Sequence, residues 1–313
     1  IQHTEILRLL IHSSSPLHTQ QDIGRFGYQD LGVTACAPLD AHAYAWAQKA
    51  LAINENRNAL ELIRGGFVGE FTQPTEIIIT GADCGATLNK KPCAPWVSHS
   101  VEPGQIIELN SPRNGQISYL AVAGGFLAPP QYGSVATSRR DGLGGLYQNG
   151  SALRPGDELM YESRPQKKAY VPQRYIPDYA KPLCLRLIPG YQFEAFEPLA
   201  LKILESETFE VSTEISRMGY RLKGPALPNV PPAGLSEPIA LGAVQVPPDG
   251  QPIILTRDRQ SLGGYPKLGV IFRKDLGFLS QRKPGDQINW QIATLRRART
   301  EFLTLKAFFG EFL

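Results

Sequence analysis

Residues 22–32 read DIGRFGYQDLG, and residues 214–224 read EISRMGYRLKG. Aligned without a gap, they share Ile23 with Ile215, Arg25 with Arg217, Gly27 with Gly219, Tyr28 with Tyr220 and Gly32 with Gly224, while Asp22 faces Glu214. Other pieces repeat with them: ILRLLI (6–11) is echoed by LCLRLI (183–188), and LRPGDEL (153–159) by RKPGDQI (282–288). Proline presets φ at one central turn position and glycine accepts positive φ at the next, so each Pro-Gly-Asp reads as a β-turn. The pattern is that of one β fold written twice.

Length agrees, because 313 residues exceed the usual size of a single hydrophobic core. Thirty glycines and 26 prolines punctuate apolar runs of strand length: Ile77 to Thr80, Ile106 to Leu109, Ile117 to Ala123, Ala240 to Val246, Ile253 to Thr256 and Gly269 to Phe272. Helical signals are few. Asp40 precedes AHAYAWAQKALA as a cap, Glu197 to Glu205 has a short amphipathic pattern, and Ile292 to Phe309 reads as a terminal helix. The expected fold is mainly β, with two related domains and few short helices. RPQKKAYVPQRYIPDYAKP (164–182) is polar and proline-rich, so it reads as a linker between domains 1–170 and 171–313.

Composition excludes several classes. Hydrophobic residues at 42% and charged residues at 19% argue against disorder. A net charge of +3 from 32 basic and 29 acidic residues, without a basic run, leaves no nucleic-acid footprint. No apolar run approaches the roughly 20 residues of a membrane helix, and IQHTEILRLLI carries Arg8 inside its apolar stretch, unlike a signal peptide. Cys36, Cys84, Cys93 and Cys184 have no CxxC spacing and read as reduced cytoplasmic thiols. His3, His12, His18, His42 and His99 lack metal-ligand spacing, so no metal is expected.

The densest polar constellation is LSEPIALGAVQVPPDGQPIILTRDRQSLGGYPKLG (235–269). Glutamine donates to one ligand atom and accepts from another, which suits an amide, urea or lactam edge. Gln245, Gln251, Gln260 and Tyr265 are therefore candidate substrate contacts, with Gly263 and Gly264 allowing close backbone approach. Glu237, Asp258 and Lys267 are the candidates for proton handling and anion contact. Arg25 and Tyr28 are second-rank binding candidates. Both halves of this reading have a plainer counterpart, since PPDGQP is also a hairpin turn and Gly-Gly-Tyr-Pro a tight bend. No P-loop, GxSxG or dinucleotide fingerprint is present. Arg139 and Arg140, in a Gly-rich loop, have guanidinium geometry that permits clamping an anion, although arginines so placed are more often merely solvated.

QDIGRFGYQDLG, TGADCGATL, AVAGGF, the GS…GLGG loop, RMGYRLKGPAL and QVPPDGQPIIL…GGYPKLG together resemble the allophanate hydrolase subunit 2-like, or biotin-dependent carboxyltransferase, family over residues 19–290. The resemblance implies two cyclophilin-like β-barrel domains. With no biotin carboxylase or carrier segment in these residues, it is nearest to the C component of ATP-dependent 5-oxoprolinase. That enzyme opens the lactam of 5-oxoproline to glutamate with an A component and a kinase-inhibitor-like B component, and ATP is expected on this chain or on a partner. Two other roles are implied: a regulatory protein binding a B-type partner, and the carboxyltransferase part of a biotin-dependent urea carboxylase. No Met-Lys pair occurs, Met160 preceding Tyr161 and Met218 preceding Gly219, so biotin is not expected on this chain. Where many relatives carry Ser-Gly-Ala-Met-Asp, this chain has Cys36-Ala37-Pro38-Leu39-Asp40.

Overall fold

A computed structural model describes residues 7–53, 57–164 and 167–312. The chain divides into two units, the first of Ile1–Arg25, Cys36–Tyr179 and Phe309–Leu313, the second of Phe26–Ala35 and Ala180–Phe308. Among the described residues, helix is confined to α1 (Ala41–Ala50), α2 (Pro198–Ser206), α3 (Arg273–Ser280) and α4 (Leu295–Phe309), besides short 3-10 turns. The protein is mainly β. No helix among the described residues is long and apolar enough to cross a membrane.

The first unit holds two antiparallel sheets. One orders Glu158–Met160, Arg8–Ser13, Phe67–Phe71, Ile106–Leu109, Thr87–Leu88 and Lys91–Pro92; the other orders His18–Gln21, Ala59–Ile63, Ile117–Val122, Thr75–Gly81 and Ser98–Val101. Alternation along these strands sends Leu9, Ile11, Leu60, Leu62, Phe67, Phe71, Ile77, Ile79, Leu120 and Val122 into one buried cluster. Asp40 caps α1 by accepting from the Ala43 amide at 3.1 Å, and its other oxygen accepts from the Tyr179 hydroxyl at 2.7 Å. Asp40 is thus a structural carboxylate in the loop that departs from the family pattern. In that loop Cys36 and Ala37 have φ of +57° and +89°, backbone that glycine adopts without cost and alanine seldom does.

The proline-rich segment packs on this unit. Val171 N donates to Trp96 O at 2.8 Å, and Ser98 N donates to Ala169 O at 2.8 Å, so residues 169–171 extend the edge strand. The sequence boundary near residue 170 falls inside that pairing, and the main segment of the second unit begins at Ala180.

In the second unit seven strands close into a barrel ordered Leu183–Pro189, Lys267–Ile271, Ala243–Gln245, Ile253–Leu255, Gly219–Lys223, Phe209–Ile215 and Gln287–Ile292. Its core gathers Leu185, Leu187, Phe209, Leu222, Val244, Ile254, Leu268 and Ile288. Closure removes the exposed edges an open sheet would present.

Hydrogen bonding sharpens the repeat. In both Pro-Gly-Asp turns the glycine amide donates to a strand carbonyl: Gly156 to Ile11 at 2.7 Å and Gly285 to Val211 at 2.8 Å. Ile11 therefore corresponds to Val211 and not to a residue of LCLRLI. Indeed Arg8–Ser13 pairs antiparallel with Glu158–Met160, while Leu183–Pro189 pairs in parallel with Gln287–Ile292.

His18 is fully buried. Its Nε2 lies 3.1 Å from Gly65 O, which can only accept, so Nε2 holds the proton and Nδ1 accepts from Ser14 Oγ and Ser15 N, both at 3.1 Å. Burial holds its pKa below the usual 6.5. The unfolded chain then binds the proton more readily, so the stability from neutral His18 is present above pH 6.5 and is lost as pH falls toward the folded pKa. We expect His18→Gln to flatten that acid-side loss in denaturant titrations; an unchanged slope would assign it to other groups.

Candidate functional site

The barrel register assembles the candidate site. Gln245 lies opposite Lys267 on one side and Ile253 on the other, and a small two-stranded ladder sets Glu237 opposite Gly263. Opposed residues of antiparallel strands project from the same face. Glu237, Gly263, Gln245 and Lys267 are thereby brought together from three segments that the sequence separates.

Two adjoining cavities meet at Gln245, Gln260 and Tyr265. One, of about 240 Å³, is closed by Glu214, Met218, Arg221 and Leu255; the other, of about 180 Å³, by Ala233, Gly263 and Gly264. Gln245 is 2% exposed, and its Nε2 has no hydrogen-bond partner. A buried donor left unmade costs about 1–3 kcal/mol, so an unsatisfied amide nitrogen is held in a residue that lines both cavities. A Cβ on Gly263 would stand 2.9 Å from that nitrogen and 2.6 Å from Ile239 Cδ1, which explains the glycine.

Outside the lining of both cavities, Lys267 Nζ and the Tyr191 hydroxyl both donate to Glu237 Oε1. The ammonium, and after it the phenol, hold the Glu237 carboxyl below its usual range. Glu237 is therefore ionised at neutral pH. The same hydrogen bond pushes the Tyr191 phenol up. Gln192 Oε1 accepts from the Lys267 backbone amide at 2.8 Å. Lys267 is thus charge-matched within the protein, and so is Arg221, which pairs with Asp249 and with Glu214. The cleft is suited to a neutral polar ligand.

Four other predicted residues, Asp258, Gln251, Arg25 and Tyr28, line neither cavity. Asp258 forms a two-pronged pair with Arg217, at 2.9 Å to Nε and 3.1 Å to Nη2, and is nearly buried. Gln251 holds both the amide and the carbonyl of Gly224, at 2.9 and 3.0 Å; with both ends of its amide so engaged it lines neither cavity. Arg25 belongs to the first unit, where it is buried and Nη2 donates to Ser134 O at 3.5 Å while Nε and Nη1 lack hydrogen-bond partners. Tyr28 belongs to the second and precedes a 3-10 turn, Gln29–Leu31. The two motif copies therefore differ locally. The second bends between paired strands, and the first is irregular. Among the described residues no group of three His, Cys, Asp or Glu side chains has metal-binding geometry.

Sequence reading missed Tyr191, Gln192, Met218 and Arg221. Tyr191 and Gln192 follow Pro189-Gly190 with no polar pattern to mark them, and only the closing of the barrel brings them to Glu237 and Lys267. Met218 and Arg221 sit in the repeated motif, where they read as turn and strand residues.

Residues 31–292 match the family described as carboxyltransferase domain, subdomain A and B. The chain belongs to the carboxyltransferase domain A and B family. It is 33% identical over 281 residues to the C component of 5-oxoprolinase from Haemophilus influenzae, covering 90% of this chain and 89% of that protein. It is 29% identical over 287 residues to urea amidolyase of Saccharomyces cerevisiae, covering 85% of this chain and 16% of that protein. The crystal structure of the K. lactis urea amidolyase shares the fold, with a TM-score of 0.90 at 24% identity over 98% of this chain and 20% of that one. For this carboxyltransferase domain, the motif-based resemblance and the mainly β architecture agree with the comparisons.

Proposed function

We propose that this chain is the C component of a 5-oxoprolinase, and that the Gln245 cleft receives the lactam edge of its substrate. The observation that carries this reading is the buried, unpartnered Nε2 of Gln245, supported by the match to nearly the whole length of the 5-oxoprolinase relative. The lactam carbonyl would accept from Gln245 Nε2, and Gln260 would complement the ring amide. Tyr265 would wall the ring, and the Glu237 carboxylate, oriented through Oε1 by Lys267 and Tyr191, would accept a proton from the attacking water through its other oxygen and pass it to the ring nitrogen as the C–N bond breaks.

ATP would supply activation of the ring carbonyl in such a reaction. The cleft does not fit a triphosphate, because Lys267 and Arg221 are each paired with carboxylates and no phosphate loop is present in the sequence. In this reading ATP is held by another chain, with A-type and B-type partners completing the enzyme in the cytoplasm, and no biotin is carried here.

One observation favours a second reading. A cleft without a spare cation equally fits a ureido group, and a urea amidolyase is also a relative. Reconstitution with purified A-type and B-type proteins separates the two. We expect ATP-dependent glutamate release from 5-oxoproline that requires this chain. No release, together with carboxyl transfer from a biotinylated carrier to urea, would replace the first reading with the second.

A further inference from the structure

The first unit carries a separate cleft of about 370 Å³, between the turn Ser14, Ser15, Pro16 and the segment 150–155, with Arg139 on its wall. Its volume falls in the range of small-molecule sites. None of its lining residues is acidic.

Both arginines are held in place. Arg139 Nη1 donates to Pro16 O at 3.0 Å. Arg154 Nη2 donates to Ser151 Oγ at 3.3 Å, and its guanidinium lies 5.5 Å from the centre of the Tyr147 ring. The Tyr147 hydroxyl is in turn fixed to Asp157 Oδ1 at 2.5 Å. Among the described residues neither guanidinium has a carboxylate partner, and each keeps donors to spare.

The hydroxyls add to this. Ser14 spends its proton on His18 Nδ1, but Ser15 Oγ accepts from the Leu17 amide at 3.2 Å and Ser151 Oγ accepts from Arg154. Ser15 and Ser151 therefore have their O–H free to donate. Two fixed guanidiniums and two free hydroxyl donors around a concave surface form a cage with the polarity of an anion site.

We propose that this cleft binds the oxyanion group of a small molecule, clamped between Arg139 and Arg154. A phosphate and a carboxylate share that chemistry. The assignment does not depend on the oxoprolinase reading, since it uses none of the Gln245 cleft.

Calorimetric titration of the full chain with inorganic phosphate and, separately, with glutarate tests it. We expect saturable binding with Kd on the order of millimolar to at least one probe, the tighter arm identifying the group. Arg139→Ala with Arg154→Ala should weaken it at least tenfold, and added salt should weaken it further. In the unsubstituted protein, the side-chain Nε–H resonances of Arg139 and Arg154 should shift together along the titration. No saturable binding of either probe, shifts confined to other arginines, or unchanged affinity in the doubly substituted chain would overturn the proposal.

Discussion

Replacing Asp258 with alanine should destabilise the second unit by about 3–5 kcal/mol, the usual cost of breaking a buried ion pair from one side. The Asp258 side chain is 4% exposed and that of Arg217 is 12% exposed. Removing the carboxylate takes a two-pronged partner away from a largely buried guanidinium. The damage reaches the local backbone, because Asp258 N donates to Arg217 O at 2.8 Å and Thr256 Oγ1 donates to the same carbonyl at 2.7 Å. The pair thus fastens the bend between Phe209–Ile215 and Gly219–Lys223 to the segment after Ile253–Leu255. Guanidinium unfolding should show a lower midpoint, and Asp258→Asn, which keeps the shape and half of the hydrogen bonding, should lose less. The catalytic alternative makes the opposite forecast. An Asp258→Asn chain as stable as the parent but inactive in the reconstituted complex would return Asp258 to the reaction.

This contrast marks how far the sequence could be read. The Pro-Gly-Asp turns, the strand runs and the Asp40 cap are local signals, carried by residues within a few positions of one another, and the structure contains each of them. Asp258 could not be placed, because an aspartate among strand residues looks the same whether it faces a ligand or an arginine 41 positions away. Gln251 is the same case, its partner being a backbone group at Gly224. Gln245 could be nominated from its residue type, but its lack of a partner is a property of the closed barrel. The repeated Arg-x-Gly-Tyr turn misled most about local structure: similar sequences take different conformations once their neighbours differ.

Gln245→Leu should separate function from stability in the other direction. Leucine approximates the volume of glutamine and removes a buried donor that has no acceptor in the protein, so the folded state should be unchanged or gain up to about 1–3 kcal/mol. Activity of the reconstituted complex should fall by about a hundredfold, the equivalent of ~2.7 kcal/mol of lost transition-state interaction. Such a trade is expected where a binding group is held unsatisfied in the free protein. Gly263→Ala supplies the independent check. Its Cβ would press on both Ile239 Cδ1 and Gln245 Nε2, at 2.6 and 2.9 Å, displacing the amide without removing it. Activity should then fall while Gln245 remains, with KM rising more than kcat falls if the amide contributes to ground-state binding. Full activity in both variants would assign the Gln245 cleft to barrel architecture. Loss in Gly263→Ala alone would keep the cleft and remove Gln245 from the contact.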